Sequence, residues 1–317
     1  MPDSPTVNQP DKSGTSSDST GLGESGISEA ATTAESAAAV FGLPNLRDAT
    51  GRQGGDVGGL GTGGSVDFHD HRAYQLGDDV RHINWQAYGR TGSYTMKLFR
   101  EEVQPLVDVV LDLSSSMFFE PEKARRTAEL IVFSCHAAAR SQASVRLFAT
   151  DGDGASSIRP LTRDDVFTGS WAEWVAPPGS GKEATGLDLS GIPFRRGSVR
   201  ILIGDLLHKS APESTLLPFA NGAGMSLVWA PFSQSEAEPD WTDNCELEDA
   251  ETVQRLPIWA DSAMLKRYRD AYSRHFDLWT AQARQLGVRV ARIPAEGELT
   301  DALMLVAGEN TAIQMNR

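Results

Sequence analysis

The densest group of chemically useful side chains is Asp112-Leu113-Ser114-Ser115-Ser116. A carboxylate and two hydroxyls stand at every second position, directly after the apolar run Leu106-Val107-Asp108-Val109-Val110-Leu111. Oxygen donors of this kind suit a hard divalent ion, Mg2+ or Mn2+. Two later segments offer more oxygens. Asp205 ends the run Val199-Arg200-Ile201-Leu202-Ile203-Gly204, and Thr185 lies in the loop between Gly179 and Asp188. Asp112, Ser114, Ser116, Thr185 and Asp205 are the candidate metal set. Few direct protein charges would leave the ion electrophilic, with an open position for a partner's carboxylate. The plainer alternative is that Asp-x-Ser-x-Ser only caps the following turn, as Asp and Ser commonly do.

Other groups offer rival chemistries. Pro177-Pro178-Gly179-Ser180-Gly181-Lys182 looks like a phosphate-binding loop and makes a nucleotide hydrolase the alternative reading. The motif requires Gly where Ala176 stands and Ser or Thr where Glu183 stands. Gly186, Gly191 and Pro193 interrupt the helix that should aim its N-terminus at phosphate. His69 and His71, two apart on a strand, would share a face, but zinc takes three or four ligands and no third is apparent. No Gly-x-Ser-x-Gly elbow is present. Cys135 and Cys245 lack metal-ligand spacing, and Cys135 reads as a small buried hydrophobe. The glycine-rich run from Gly51 to Gly64 reads as a surface loop.

These groups must be positioned by a scaffold. The runs at Leu106, Ser144–Ala149, Val199, Ser226–Ala230 and Val288–Ile293 read as buried strands. Pro121 opens a helix that runs to about Ala139. A long helix begins near Asp261, with Leu265, Tyr268, Tyr272, Phe276, Trp279, Ala283 and Leu286 along one face; Gly287 stops it. Strands alternating with helices predict an α/β fold with a doubly wound, mostly parallel sheet, which binds ligands beyond the carboxyl ends of its strands. Residues 1–38 are rich in Ser, Thr, Gly, Ala and acid and read as a disordered tail. Residues 39–104 form an N-terminal β-rich extension, and residues 105–317 the main domain. In the extension, Trp85 reads as core, Gly77-Asp78 as a turn, and Arg72, Asp78, Asp79 and Arg81 as an ion-pair network holding the segment to the main domain.

The net charge of −14, from 43 acids and 29 bases, disfavours nucleic acid and anionic membrane surfaces. No apolar stretch is long enough to insert in a membrane, and no signal pattern opens the chain. With two cysteines, a disulfide framework is not expected, and a cytoplasmic location is.

Val109-Val110-Leu111-Asp112-Leu113-Ser114-Ser115-Ser116-Met117 resembles the metal-ion-dependent adhesion motif of von Willebrand factor A domains. The segment from Arg72 through Tyr74-Gln75-Leu76-Gly77-Asp78 to Asn84-Trp85 resembles a narrower bacterial family, domain of unknown function fifty-eight. So do Gly89-Arg90, Lys97-Leu98-Phe99-Arg100-Glu101-Glu102, and Glu246-Leu247-Glu248-Asp249-Ala250-Glu251-Thr252. The resemblance covers about residue 40 to the end. It implies a von Willebrand factor A, Rossmann-like fold in which Ser114, Ser116 and Thr185 are direct metal ligands. Asp112 and Asp205 would act directly or through water. It also implies a non-enzymatic, metal-dependent adaptor or assembly factor that works with a MoxR-type AAA+ ATPase on an unidentified protein client. Two departures bear on the site. The threonine loop reads Lys-Glu-Ala-Thr-Gly-Leu-Asp where Gly-Gly-Thr-Asp-Leu is commoner, so Asp188 competes with Thr185. Leu206 follows Asp205 where many such domains have Gly.

Overall fold

The structure, a computed structural model, describes residues 22–44, 66–101, 104–151, 157–175, 186–250, 253–308 and 311–316. Helix α1 (Gly23–Val40) leads into β1 (Phe41–Gly42). Strand β2 (Val66–Ala73), helix α2 (Trp85–Thr91) and β3 (Thr95–Glu101) follow. Then come β4 (Leu106–Asp112), α3 (Pro121–Arg140), β5 (Ser144–Thr150), β6 (Arg159–Leu161), α4 (Arg163–Thr168) and β7 (Val199–Ile203). The chain continues through α5 (Pro212–Ala220), β8 (Met225–Phe232), α6 (Gln234–Ala237), β9 (Asp243–Glu248) and β10 (Arg255–Ala260). It closes with α7 (Ser262–Gln285), β11 (Val288–Pro294), α8 (Leu299–Val306) and β12 (Gln314–Met315).

Six strands form the central sheet in the order β11-β8-β7-β4-β5-β6. Every neighbouring pair is parallel except β5 with β6. The apolar runs account for this arrangement. A parallel strand covered on both faces needs apolar side chains at successive positions, and all of β7 is buried. On one face, α3 and α8 cover Val107, Val109, Leu111, Ile201 and Ile203, and α1 packs against α3 and α8 in turn. On the other, α5 and α7 cover Val110, Leu202 and Val228. The protein is therefore a three-layer α/β structure. The acid in the middle of β4, Asp108, is fully buried and satisfied: Arg146 and Arg195 pair with it, and Ser198 Oγ donates to it.

Helix α3 starts with Pro121 in its first turn, where the missing N–H costs nothing. Helix α7 is capped by Asp261, whose Oδ1 accepts from Met264 N at 2.7 Å, and is followed by Gly287 at φ +70°. Its apolar face divides. Phe276, Trp279 and Ala283 are buried, whereas Leu265, Tyr268 and Tyr272 are half-buried.

Three expectations need correction. The disordered tail does not extend through residue 38, because α1 begins at Gly23. Ile27, Ala30, Ala34, Ala37, Ala38 and Phe41 are all buried and line one side of that segment against the core. Alanine is the strongest helix former, and its small side chain lets α1 approach α3 closely. Trp85 is not core. It stands at the start of α2, 59% exposed, edge-on to Tyr88 and Tyr94. Apolar size alone did not supply it with a partner layer. The expected ion-pair network is two local pairs, Arg72 with Asp78 and Arg81 with Asp79. Among the described residues, each closes within the segment and neither reaches the main sheet. Gly77 is in a turn as read, at φ +106°.

Residues 41–42 are tied to the far end of the chain. Phe41 pairs with Met315 and Gly42 with Gln314. Asn316 Nδ2 donates to the carbonyls of Ala38, Ala39 and Phe41.

Candidate metal centre

Strands β4 and β7 are neighbours in the sheet, but the chain leaves them in opposite directions. From β4 it crosses through α3 to β5, and from β7 through α5 to β8. This is a topological switch point, where a doubly wound sheet opens a crevice at its carboxyl edge. Asp112 is the last residue of β4, and Asp205 lies just beyond β7. Sheet order therefore brings together two carboxylates that are far apart in sequence.

The two strand ends use the same local device. Asp112 Oδ1 accepts from Ser114 N at 2.9 Å, and Asp205 Oδ1 accepts from Leu207 N at 2.9 Å. Each carboxylate thus folds its own turn with one oxygen and presents the other, as Asp side chains do in such turns. The capping alternative is half right. Asp112 caps, but Ser114 does not: its hydroxyl makes no cap hydrogen bond and lies 3.3 Å from Ser116 Oγ.

Asp112 Oδ2 is fully buried and accepts no hydrogen bond among the described residues. His208 Nε2 lies 3.2 Å from it, an ion-pair distance without hydrogen-bond alignment. Asp112, Asp205 and His208, all buried, each offer one ligand atom, and these atoms lie within 4.8 Å of one another. A buried carboxylate oxygen left unmatched costs free energy, so this cluster is compatible with a cation.

Lys123, from the first turn of α3, is fully buried and reaches the same place. Its Nζ lies 2.8 Å from Asp205 Oδ2 and also contacts Glu236 Oε1. A cation at a helix N-terminus opposes the macrodipole, so these carboxylates, not the helix, account for its position. Burial works against the Lys123 charge, but Asp205 and Glu236 outweigh it and raise the ammonium above its ordinary value. Burial likewise pushes the Asp205 carboxyl up, and the Lys123 charge, with His208 adding to it, overrides this and holds it at about 2. For Glu236, burial wins over Lys123 and its carboxyl is raised.

The backbone between β7 and His208 is tight. A Cβ on Gly204 would sit 3.1 Å from Asp112 Oδ2. Leu206, fully buried, adopts φ +63°, a conformation that suits Gly, and its carbonyl accepts from His275 Nε2 at 2.7 Å. The departure from Gly at this position is thus real strain, held by packing.

Of the five candidate residues, the structure brings Asp112, Ser114, Ser116 and Asp205 to one edge. Thr185 lies outside the described residues, as do the phosphate-loop-like segment 177–183 and the glycine run 51–64. Gly186, the first described residue after Thr185, packs against Ser210. Asp188 is exposed and accepts from Ser190 N at 2.9 Å within its own turn. His69 and His71 both fall on β2, whose register with β3 shifts between Phe68 and Asp70. Both cysteines are free, and burial pushes the Cys135 thiol up to about 11. Lys123, His208 and Glu236 were not read as site residues from the sequence. Glu236 had one visible signal, the capping box from Ser233 to Glu236 directly after a strand. Among the described residues, no helix is long and apolar enough to cross a membrane.

No curated protein matches the chain. Among solved structures, one similar chain is described as "Crystal structure of conserved hypothetical protein BatB from Bacteroides thetaiotaomicron". It is 13% identical, with a TM-score of 0.32, over 63% of this chain and 96% of that one. The family model described as Protein of unknown function DUF58 matches residues 70–277, well over half of the chain, so the chain belongs to that family.

Proposed function

We propose that this protein is a non-enzymatic, metal-dependent protein-interaction module with a von Willebrand factor A-like domain. In this reading Mg2+ or Mn2+ is held by Asp112, Ser114 and Ser116, with Asp205 and Thr185 completing the shell. The observation that carries it is Asp112 Oδ2, a buried carboxylate oxygen at the switch point that accepts no hydrogen bond among the described residues, in the same turn as Ser114 and Ser116, whose hydroxyls lie 3.3 Å apart. The bound ion would supply a positive charge for a partner's carboxylate. The chain's own residues orient that approach. Asp112, Ser114 and Asp205 are buried and Ser116 is half-buried, so a partner would arrive over Ser116. The resemblance of residues 72–102 to the family supports a cytoplasmic adaptor or assembly factor working with a MoxR-type AAA+ ATPase on a protein client.

A second reading has its own observation. Lys123 already sits on Asp205 as a built-in cation. Titration of a candidate ATPase or client with and without EDTA separates the two. The metal-dependent reading expects affinity to fall by about tenfold or more on chelation, about 1.4 kcal/mol. Unchanged affinity would favour the metal-free one.

A further inference from the structure

The ligand set implied by the resemblance is all oxygen, yet the structure puts an imidazole into the site. His208 is buried and comes from the same loop as Asp205, three residues on. Its Nε2 faces Asp112 Oδ2 at 3.2 Å, close enough for a hydrogen bond but not aligned as one. Two ligands at right angles on one ion, each at about 2.1 Å, stand about 3.0 Å apart. The observed separation is therefore close to that of two neighbours in one coordination shell. Asp205 contributes a carboxylate oxygen within the same 4.8 Å. Its Oδ2 is shared with Lys123, which limits how much negative charge it lends to an ion.

We propose that His208 is a direct metal ligand alongside Asp112, and that the site prefers a first-row divalent transition ion to Mg2+. This rests on the metal-dependent reading above. The chemistry follows from the donor. Mg2+ holds to oxygen and keeps its waters, whereas an imidazole nitrogen adds affinity for ions further along the transition series. The tight backbone at Gly204 and Leu206 serves the same end. It turns the chain sharply enough that Asp205 and His208 both face Asp112.

The test uses the full chain loaded with Mn2+ and pulsed electron paramagnetic resonance. Nitrogen modulation from one directly bound imidazole is expected in the wild type and should vanish in His208→Ala. Competition dialysis of Mn2+ against Mg2+ should show the Mn2+ preference falling by about tenfold in that variant. His208→Gln, whose amide reaches about as far as Nε2, guards against a folding defect and should also lose the imidazole modulation. Mn2+ binding that depends on Asp112 but shows no nitrogen modulation in the wild type overturns this inference and leaves the metal-dependent reading standing. Absence of both Mn2+ and Mg2+ binding overturns both.

Discussion

Lys123 Nζ and Asp205 Oδ2, 82 positions apart in the chain, meet at 2.8 Å with neither side chain open to solvent. Removing one partner of such a pair strands the other charge in the interior. Lys123→Met should lower unfolding stability by about 3–5 kcal/mol, read from urea denaturation. Adding Asp205→Asn should recover part of that loss. A single-variant change below about 1 kcal/mol would show that the pair is not closed in solution.

The two carboxylates that share Lys123 respond oppositely to pH. Asp205 is held at about 2, below its ordinary 3.8, so the folded state binds its proton less readily than the unfolded chain. Its stabilisation is present above the ordinary value and is lost as pH falls through the folded one. The stability gap between wild type and Asp205→Asn should therefore close as pH drops from about 4 to about 2. Glu236 is raised, so its ionisation opposes folding once pH exceeds its ordinary 4.5. Glu236→Gln should accordingly cost little at pH 7, where Asp205→Asn costs much. Equal losses in the two variants at neutral pH would contradict this assignment.

Asp112 tests the metal itself. At a free Mg2+ or Mn2+ concentration about a hundred times Kd, binding adds about 2.7 kcal/mol to folding stability. The wild-type melting temperature should rise with metal, and Asp112→Ala should show no rise. A wild-type curve that stays put in saturating Mg2+ and Mn2+ would argue against the site.

Leu206 combines a fully buried side chain with φ +63°. Leu206→Ala loses the packing and keeps the backbone penalty, while Leu206→Gly loses the packing and relieves the penalty. The Ala variant should be less stable than the Gly variant by about 1 kcal/mol, the reverse of the usual order. Chemical denaturation of the two side by side decides it.

Phe41 closes the α1 layer and is fully buried. Phe41→Ala should cost about 3–5 kcal/mol. Calorimetry of that variant, and of a chain lacking residues 1–40, should show the truncated form melting well below the wild type. Equal melting temperatures would mean that α1 adds nothing to the core.

The sheet and its two main helices were legible because their signals are local. Strands β4, β7, β8 and β11 are short apolar runs, and α3 and α7 carry a Pro or Asp start and, in α7, a glycine stop. Asp112, Ser114, Ser116 and Asp205 could be placed at strand ends, and a mostly parallel sheet then puts them on one edge. Helix α1 was hidden because a buried alanine stripe looks like low-complexity sequence; what buries it is the neighbouring helix. Lys123 looks like any solvated lysine in a first helical turn. Only the neighbouring strands, by delivering Asp205 and Glu236, make it a buried cation. Nothing in its sequence neighbourhood marks His208; the turn at Leu206 is what sets it against Asp112.

The pairing of Phe41 with Met315 also sets how the molecule yields under tension. Because β1 and β12 are antiparallel and both flanking segments leave from the same side, a pull between residues 22 and 316 opens that ladder like a zip. Its bonds break in turn instead of sharing the load. The three contacts from Asn316 go first, and α1 then peels from α3. The six-stranded sheet, not lying between the points of pull at that stage, keeps its order and its cover of α3 and α8. Under this pull the seam that opens is the one joining the described ends, far along the chain from the carboxylates at the switch point.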